Sequence, residues 1–235
     1  MRLLNWNILK GGGTRVVRIV DTIASIAPDV CVLTEYRNND RGNELTRRLA
    51  GLGLCRKAVG VTDNAQKDVV ALFSRFELEI DDAFAIPISL APYVVARRLG
   101  GHRVIGTFCA TPEVGRNFVG FLSQIPKITG AISILATGDF YFGETGSNPR
   151  VYDDLLPLHR TGWSDVWRDL HGSEVVWCCF ANNGRSRPDH IFIAGANPTN
   201  SMKVEYLPDE PPRISDHLPM VAEFDNTGWP QLQPT

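Results

Sequence analysis

Short apolar runs that end on a polar residue recur from one end of this chain to the other, with amphipathic stretches between them. This alternation constrains the fold more than any other feature. An apolar run of four to eight residues bounded by turn residues suits a buried strand, whereas an apolar stripe of helical period suits a helix lying on a sheet. The expected strands cover residues 3–8, 29–34, 69–73, 103–109, 132–137, 175–180, 190–193 and 220–224, and the expected helices 14–27, 44–52, 114–124 and 153–160. Gly11, Gly12 and Gly13 mark the turn into the first helix, where Val17, Ile19, Val20, Ile23, Ala24 and Ile26 compose the apolar face. Strand pairs interrupted by helices throughout predict one α/β unit of two sheets packed face to face, helices outside, with the pairing left open. With 235 residues, 43% of them hydrophobic, the chain can bury a sizeable core. The domain is expected to span residues 1–226, and the Pro-, Gly- and Gln-rich residues 227–235 to form a tail.

Composition narrows the classes of function. No stretch approaches the roughly 20 apolar residues of a membrane span, and the start of the chain lacks the apolar run of a secretory signal. Cys31, Cys55, Cys109, Cys178 and Cys179 are odd in number and contain no CxxC pair, so neither a disulfide framework nor a zinc site is expected. A soluble monomer in a reducing cytoplasm is the expectation. A net charge of −2 argues against a broad basic surface, so any grip on a polyanion must be local. The 24 basic residues divide into 19 Arg and 5 Lys, and Arg offers a planar donor fork that suits phosphate.

Polar residues gather at the ends of the apolar runs: Asn5 and Asn7 beside Leu3 and Leu4, Glu35 after VCVLT, Asp139 after ISILATG, and Asp216 with His217 in ISDH. Taken singly, a strand-end Asp or Asn reads as a cap, Glu35 as a partner for Arg37, and a lone His as a packed or surface side chain. Strand ends are also where a rigid scaffold presents a site. Their joint occurrence in one order favours that second reading.

The segments LLNWNI, PDVCVLTEYR, ILATGDF, RPDHIF and ISDHLPMVAEF resemble the successive signature segments of the endonuclease/exonuclease/phosphatase superfamily, which includes exonuclease III-like and DNase I-like enzymes. The resemblance spans residues 2–224. It implies a four-layer α/β/β/α sandwich of two packed mixed sheets with outer helices, and a site at one mouth of the sheets. It also implies a phosphodiester hydrolase in which Glu35 is the principal metal ligand, with Asn7 and Asp216 beside it. Such hard oxygen donors suit Mg²⁺ or Mn²⁺. Asp139 then positions or deprotonates the attacking water, His217 contacts the scissile phosphate, and Asp189 orients and charges that imidazole.

His190 follows Asp189 directly; on a strand it points to the opposite face, so a structural role is expected for it. Arg37 is expected to share the face of Glu35 and hold a substrate phosphate, with a structural ion pair as the alternative. Two positions depart from the family pattern. Tyr141 stands where the family carries Asn after GDF. Cys109 stands where many members carry a His or Tyr that donates to the phosphate, and a neutral thiol is a poor donor. Loss of one such donor costs about 3 kcal/mol in other enzymes, so the Tyr141 hydroxyl is expected to fill the space that Cys109 leaves. A shifted loop with Asn148 in that role is the alternative.

Within the superfamily DNA is the expected substrate, with WRDLHG, ANNGRSR and GETGSNPR as candidate contacts. Trp163, Trp167 and Trp177 suit the core equally well. The alternatives are a small phosphoester substrate, or a weak or inactive relative that binds nucleic acid or another phosphate-bearing ligand, the latter because of Tyr141 and Cys109.

Overall fold

A computed structural model describes residues 1–81, 85–125, 134–144, 153–174, 176–181, 184–195, 202–208 and 214–225. The chain begins with β1 (Arg2–Asn7), crosses through α1 (Val16–Ile26) and returns as β2 (Val30–Tyr36), parallel to β1. There follow α2 (Asp40–Gly51), β3 (Arg56–Val59), β4 (Val69–Ser74), β5 (Glu79–Ile80) and β6 (Val94–Leu99). A second crossover unit comprises β7 (His102–Phe108), α3 (Pro112–Gln124) and β8 (Ile134–Asp139), again with its strands parallel. The remaining elements are α4 (Leu156–Arg160), β9 (Ser164–Asp165), α5 (Val166–His171), β10 (Asp189–Ala194), β11 (Met202–Tyr206) and β12 (Met220–Phe224).

The described strands form two six-stranded sheets, in the orders β11-β12-β1-β2-β4-β3 and β5-β6-β7-β8-β10-β9. Each sheet has a parallel pair at its centre, and the connection between those two strands needs a crossover helix. β12 flanks β1 as β6 flanks β7, and β4 flanks β2 as β10 flanks β8, all antiparallel. The two sheets thus repeat one topology that leaves no visible repeat in the sequence.

Two-residue alternation along the strands sorts the core into three layers. Leu3, Val32, Leu72, Val104, Leu135 and Ile191 fill the gap between the sheets. Leu4, Trp6, Leu33 and Phe73 pack beneath α1 and α2, and Ile105, Ala136 and Phe192 beneath α3 and α4. This is the four-layer sandwich that the sequence resemblance implied.

Local differences from the sequence reading have identifiable causes. Helix α1 starts at Val16, and its 3.6-residue period buries Val16 while leaving Val17 and Ala24 outside the core. Helix α2 starts four residues earlier than expected because the Asn39 side chain accepts from the amides of Arg41 and Gly42, a cap that the apolar pattern does not register. Thr111 does the same for α3, whose first residue is Pro112. The strand expected at 175–180 is instead a connector: among its described residues only isolated bridges form, from Cys179 to Ser186 and to His217. Its backbone joins two loops, with the Cys178 amide donating to Ser186 and the Leu218 and Phe180 amides to Cys178 and Asp216. Strands β3, β5, β6, β9 and β11 and helix α5 were not expected; all but β6 are short or lie at a sheet edge. Residues 226–235, which include the expected tail, lie outside the described residues. No helix among the described residues is long and apolar enough to cross a membrane.

Candidate active site

Asn5 and Asn7 follow Leu3 at two-residue intervals on β1 and therefore face the gap between the sheets. The same period puts Asp139 in that gap beyond Leu135 on β8, and Asp189 beside Ile191 on β10. Where the gap opens, these groups meet Glu35 at the end of β2 and His217 in the turn before β12. The Asn7 amide donates to Glu35 Oε1 and to Asp139 Oδ2, both at 3.1 Å. His217 Nε2 stands 4.0 Å from Asp139 Oδ2, and its Nδ1 is 2.7 Å from Asp189 Oδ2. Glu35, Asn7, Asp139, His217 and Asp189, which are far apart in sequence, thus line one mouth.

Asp189 is fully buried, and every polar atom of it is engaged. Asn5 Nδ2 donates to Oδ1 (3.3 Å), the Cys178 thiol to Oδ2 (3.2 Å) and the Tyr206 hydroxyl to the carbonyl (2.7 Å). The turn at His217 is held by Trp6 Nε1 on the His217 carbonyl (3.0 Å) and by Ser215 Oγ on the Asn7 carbonyl (2.7 Å). Burial alone would lower the basicity of His217, but the charge and hydrogen bond of Asp189 outweigh it and hold the imidazole well above 6.5. The pairing with Asp189 therefore favours the imidazolium form. Burial, reinforced by the charge of Asp189 and only partly opposed by His217, pushes Asp139 up from 3.8 to about 7.

Asp216 precedes His217 in the same turn, its Oδ1 3.4 Å from Ser215 Oγ, and its charge, like that of Glu35, is felt by Arg15. Arg15 also donates to the carbonyls of Leu9 and Ile214, tying the loop after β1 to the ISDH turn. The Arg37 guanidinium is paired with Asp68, Nε to Oδ1 at 2.6 Å, so the ion-pair alternative is the one formed. A bulge between Leu33 and Tyr36 breaks the simple alternation on which a shared face with Glu35 depended. Cys109 is turned away, packed beneath α3 with its sulfur 3.5 Å from Thr107 Oγ1 and its thiol kept protonated by burial. It leaves no space at the mouth for the Tyr141 hydroxyl, which removes the geometric basis for an exchange between these two positions. Tyr141 itself is 45% exposed and stands edge-on to Phe142, and its amide donates to Asp139 Oδ1 at 2.9 Å. Asn148 lies outside the described residues. His190 faces the outer layer, as expected from its strand position, and bonds Asp165 and the Phe142 carbonyl. Trp163 and Trp167 are core residues, 3% and 6% exposed.

No protein-family profile and no curated protein sequence matches the chain. Solved structures do. An AP endonuclease from Archaeoglobus fulgidus superposes with a TM-score of 0.77 at 15% identity, over 96% of this chain and 99% of that one. The 3'-5' exonuclease NExo from Neisseria meningitidis gives 0.71 at 21% identity, over 96% and 100%. The Neisseria 3' phosphatase NExo bound to product DNA hairpin gives 0.72 at 20%, over 96% and 99%. The fold is exonuclease III/DNase I-like.

On this exonuclease III/DNase I-like frame the strain is concentrated at the mouth. Among the described residues five non-glycine positions have positive φ; Ala27 caps α1, and the other four are Leu9 (54°), Lys10 (52°), Glu35 (54°) and Tyr141 (67°). Each costs about 1–3 kcal/mol, a cost that functional sites characteristically carry. Gly138, just before Asp139, is obligatory for a different reason: a Cβ there would lie 1.9 Å from the Thr107 carbonyl oxygen. Asn tolerates the left-handed region better than Tyr. Tyr141→Asn is therefore expected to stabilise the protein by about 1 kcal/mol, raising the melting temperature by about 2–4 °C. A thermal melt with no increase would show that the ring's contact with Phe142 outweighs the strain.

Among the described residues no group of three or more His, Cys, Asp or Glu side chains is placed to hold a metal ion by itself. The mouth offers instead the Glu35 carboxylate, steadied by Asn7 and by the Lys10 amide at 2.7 Å. That donor set fits an ion of the Mg²⁺ type, which keeps several waters and uses one or two carboxylates together with substrate phosphate. It does not fit zinc, which takes a closed tetrahedral set of N and S donors. Asn5, Arg15 and Cys178 are site residues that the sequence reading did not assign. A polar Asn5 inside an apolar strand, two residues before Asn7, was the one available signal.

Proposed function

We propose that this chain is a divalent-metal-dependent phosphodiester hydrolase whose substrate is DNA. The observation that carries the reading is the pair of acid–base groups across the mouth: Asp139, poised near neutrality, and 4.0 Å away a His217 kept cationic by Asp189. A phosphodiester gains negative charge on its oxygens as it is attacked, and a fixed cation there stabilises the transition state. His217 Nε2 donates to a phosphate oxygen, while Nδ1 remains bonded to Asp189. Asp139 accepts a hydrogen bond and then a proton from the attacking water; the Tyr141 and Asn7 nitrogens fix the orientation of its carboxylate. Glu35, with Asn7 and Asp216 beside it, would hold Mg²⁺ or Mn²⁺, which when bound neutralises charge on the phosphate.

DNA is favoured by what the structural neighbours are named for: an AP endonuclease, a 3'-5' exonuclease, and a 3' phosphatase with a product DNA hairpin. The deciding experiment is hydrolysis of bis(p-nitrophenyl) phosphate, then of duplex, abasic and single-stranded DNA and of RNA, with and without Mn²⁺ or Mg²⁺. Metal-dependent cleavage that is lost in both Asp139→Ala and Glu35→Gln supports the reading, with DNA turned over faster than RNA. Binding of DNA without turnover would favour the second reading, a weak relative, for which the absence of a phosphate donor at Cys109 is the specific argument. Glu35→Gln is further expected to remove any rise in melting temperature that Mn²⁺ gives the wild type, since a ligand stabilises only the state that binds it.

A further inference from the structure

The left-handed turn after β1 uses only its backbone. The amides of Leu9, Lys10 and Gly11 donate to Asn7 Oδ1 (3.0 Å), Glu35 Oε2 (2.7 Å) and the Glu35 carbonyl (2.7 Å). Glycine adopts such positive φ values freely, and Gly11, Gly12 and Gly13 do so in the same turn. A lysine at position 10 strains the backbone and contributes nothing that glycine would not, so its side chain needs a separate explanation.

That side chain is exposed, and it rises from the residue whose own amide holds the Glu35 carboxylate. Two neighbouring cations are already engaged, Arg37 by Asp68 and Arg15 by the Leu9 and Ile214 carbonyls. Among the described residues Lys10 makes no ion pair. The cluster that its amide joins contains Glu35, Asp139 and Asp189, in a chain of net charge −2. A polyanion approaching such a surface requires a local cation. A hydrogen-bonded series runs from the Lys10 amide through Glu35, Asn7 and Asp139 to the Tyr141 amide.

We propose that Lys10 is a substrate-binding residue whose ammonium takes a phosphate of the polynucleotide strand beside the scissile diester, on the Glu35 side of the mouth. The assignment rests on the hydrolase reading for the position of the scissile group, but its test does not require turnover. Lys10→Gly relieves the strain and removes the cation together. It is expected to raise the melting temperature by about 2–4 °C and to weaken binding of a short fluorescein-labelled DNA duplex in EDTA. The deficit should shrink about threefold between 50 and 200 mM salt, because one phosphate contact contributes about 0.9 to the slope of log K against log salt. Lys10→Arg keeps the wild-type affinity and slope. With metal present and turnover measured, Lys10→Gly lowers kcat/KM and Lys10→Arg restores it.

A stabilised Lys10→Gly protein with wild-type Kd and salt slope would overturn the assignment, and so would a wild type that binds no DNA. A wild type that binds but does not cleave, with the predicted loss in Lys10→Gly, would sink the hydrolase reading and leave this one standing.

Discussion

Asp189→Asn is expected to lower kcat by about 10²–10⁴-fold while leaving the fold intact. The amide matches the carboxylate in shape but carries no charge, so the largest influence that offsets burial of an imidazolium at His217 is removed, leaving only Cys179 and Asp139 against it. His217 then loses its proton at lower pH and offers the phosphate a neutral donor at best. Breaking a buried pair of this kind also costs about 3–5 kcal/mol. The pH dependence of that loss separates the pair from general packing. His217 has a folded pKa raised above 6.5, so its contribution to stability is fully present below 6.5 and is lost as pH rises through the folded value. The stability gap between wild type and Asp189→Asn should therefore narrow on the alkaline side. Denaturant titrations at mildly acidic and at alkaline pH check this, and a gap that does not change with pH would show that the two side chains do not act as an ion pair.

Asp139→Asn should show the opposite combination, a more stable protein with turnover reduced by about 10³-fold or more. The buried carboxyl titrates at about 7 when folded against an ordinary 3.8. A carboxyl with a raised folded value binds its proton more tightly when folded, so it supports the fold below 3.8 and loses that support as pH rises through about 7. Above neutrality the ionised group costs about 2–4 kcal/mol, the free energy by which burial makes this carboxyl harder to ionise than one in water. The neutral amide escapes this cost; its Oδ1 still accepts from the Tyr141 amide, whereas its Nδ2 faces the Asn7 donor, a lost hydrogen bond that offsets part of the gain. In metal-free buffer the variant should gain stability over wild type above pH 7 and converge with it toward pH 4. A variant less stable than wild type at pH 8 would mean that Asp139 is held ionised by His217 more strongly than burial opposes it.

The two variants together explain why the site has its present form. Asp189 is satisfied by Asn5, Cys178, Tyr206 and His217, and it is the residue that makes the His217 cation tenable in a buried place. Asp139 is left close to its own titration, where proton transfer is most effective. The backbone strain at Leu9, Lys10 and Tyr141 belongs to the same pattern, because the amides of these residues donate to Asn7, Glu35 and Asp139 in turn.

Much of the architecture was legible before any coordinates. Apolar period identified the central strands β1, β2, β4, β7, β8, β10 and β12, since central strands bury both faces and read as unbroken apolar runs. It missed the edge strands β3, β5, β9 and β11, the interior strand β6, whose Arg97 and Arg98 interrupt the apolar run, and the caps at Asn39 and Thr111, where one or two polar hydrogen bonds decide the outcome. Ordered motifs singled out Asn7, Glu35, Asp139, Asp189 and His217, which the structure brings together; four lie at or next to strand ends, and His217 lies in the turn before β12.

The partners of those residues belong to the tertiary structure alone. Arg37 was expected at the mouth and pairs with Asp68; Cys109 was expected there and packs under α3. Cys178 stands eleven positions from the Asp189 it bonds, and Asn5 184. Period in sequence specifies which face of a strand a residue occupies, since that follows from local backbone geometry. Which charge it meets depends on how two sheets stack and where a bulge turns the chain, and those are settled only when distant segments share one volume.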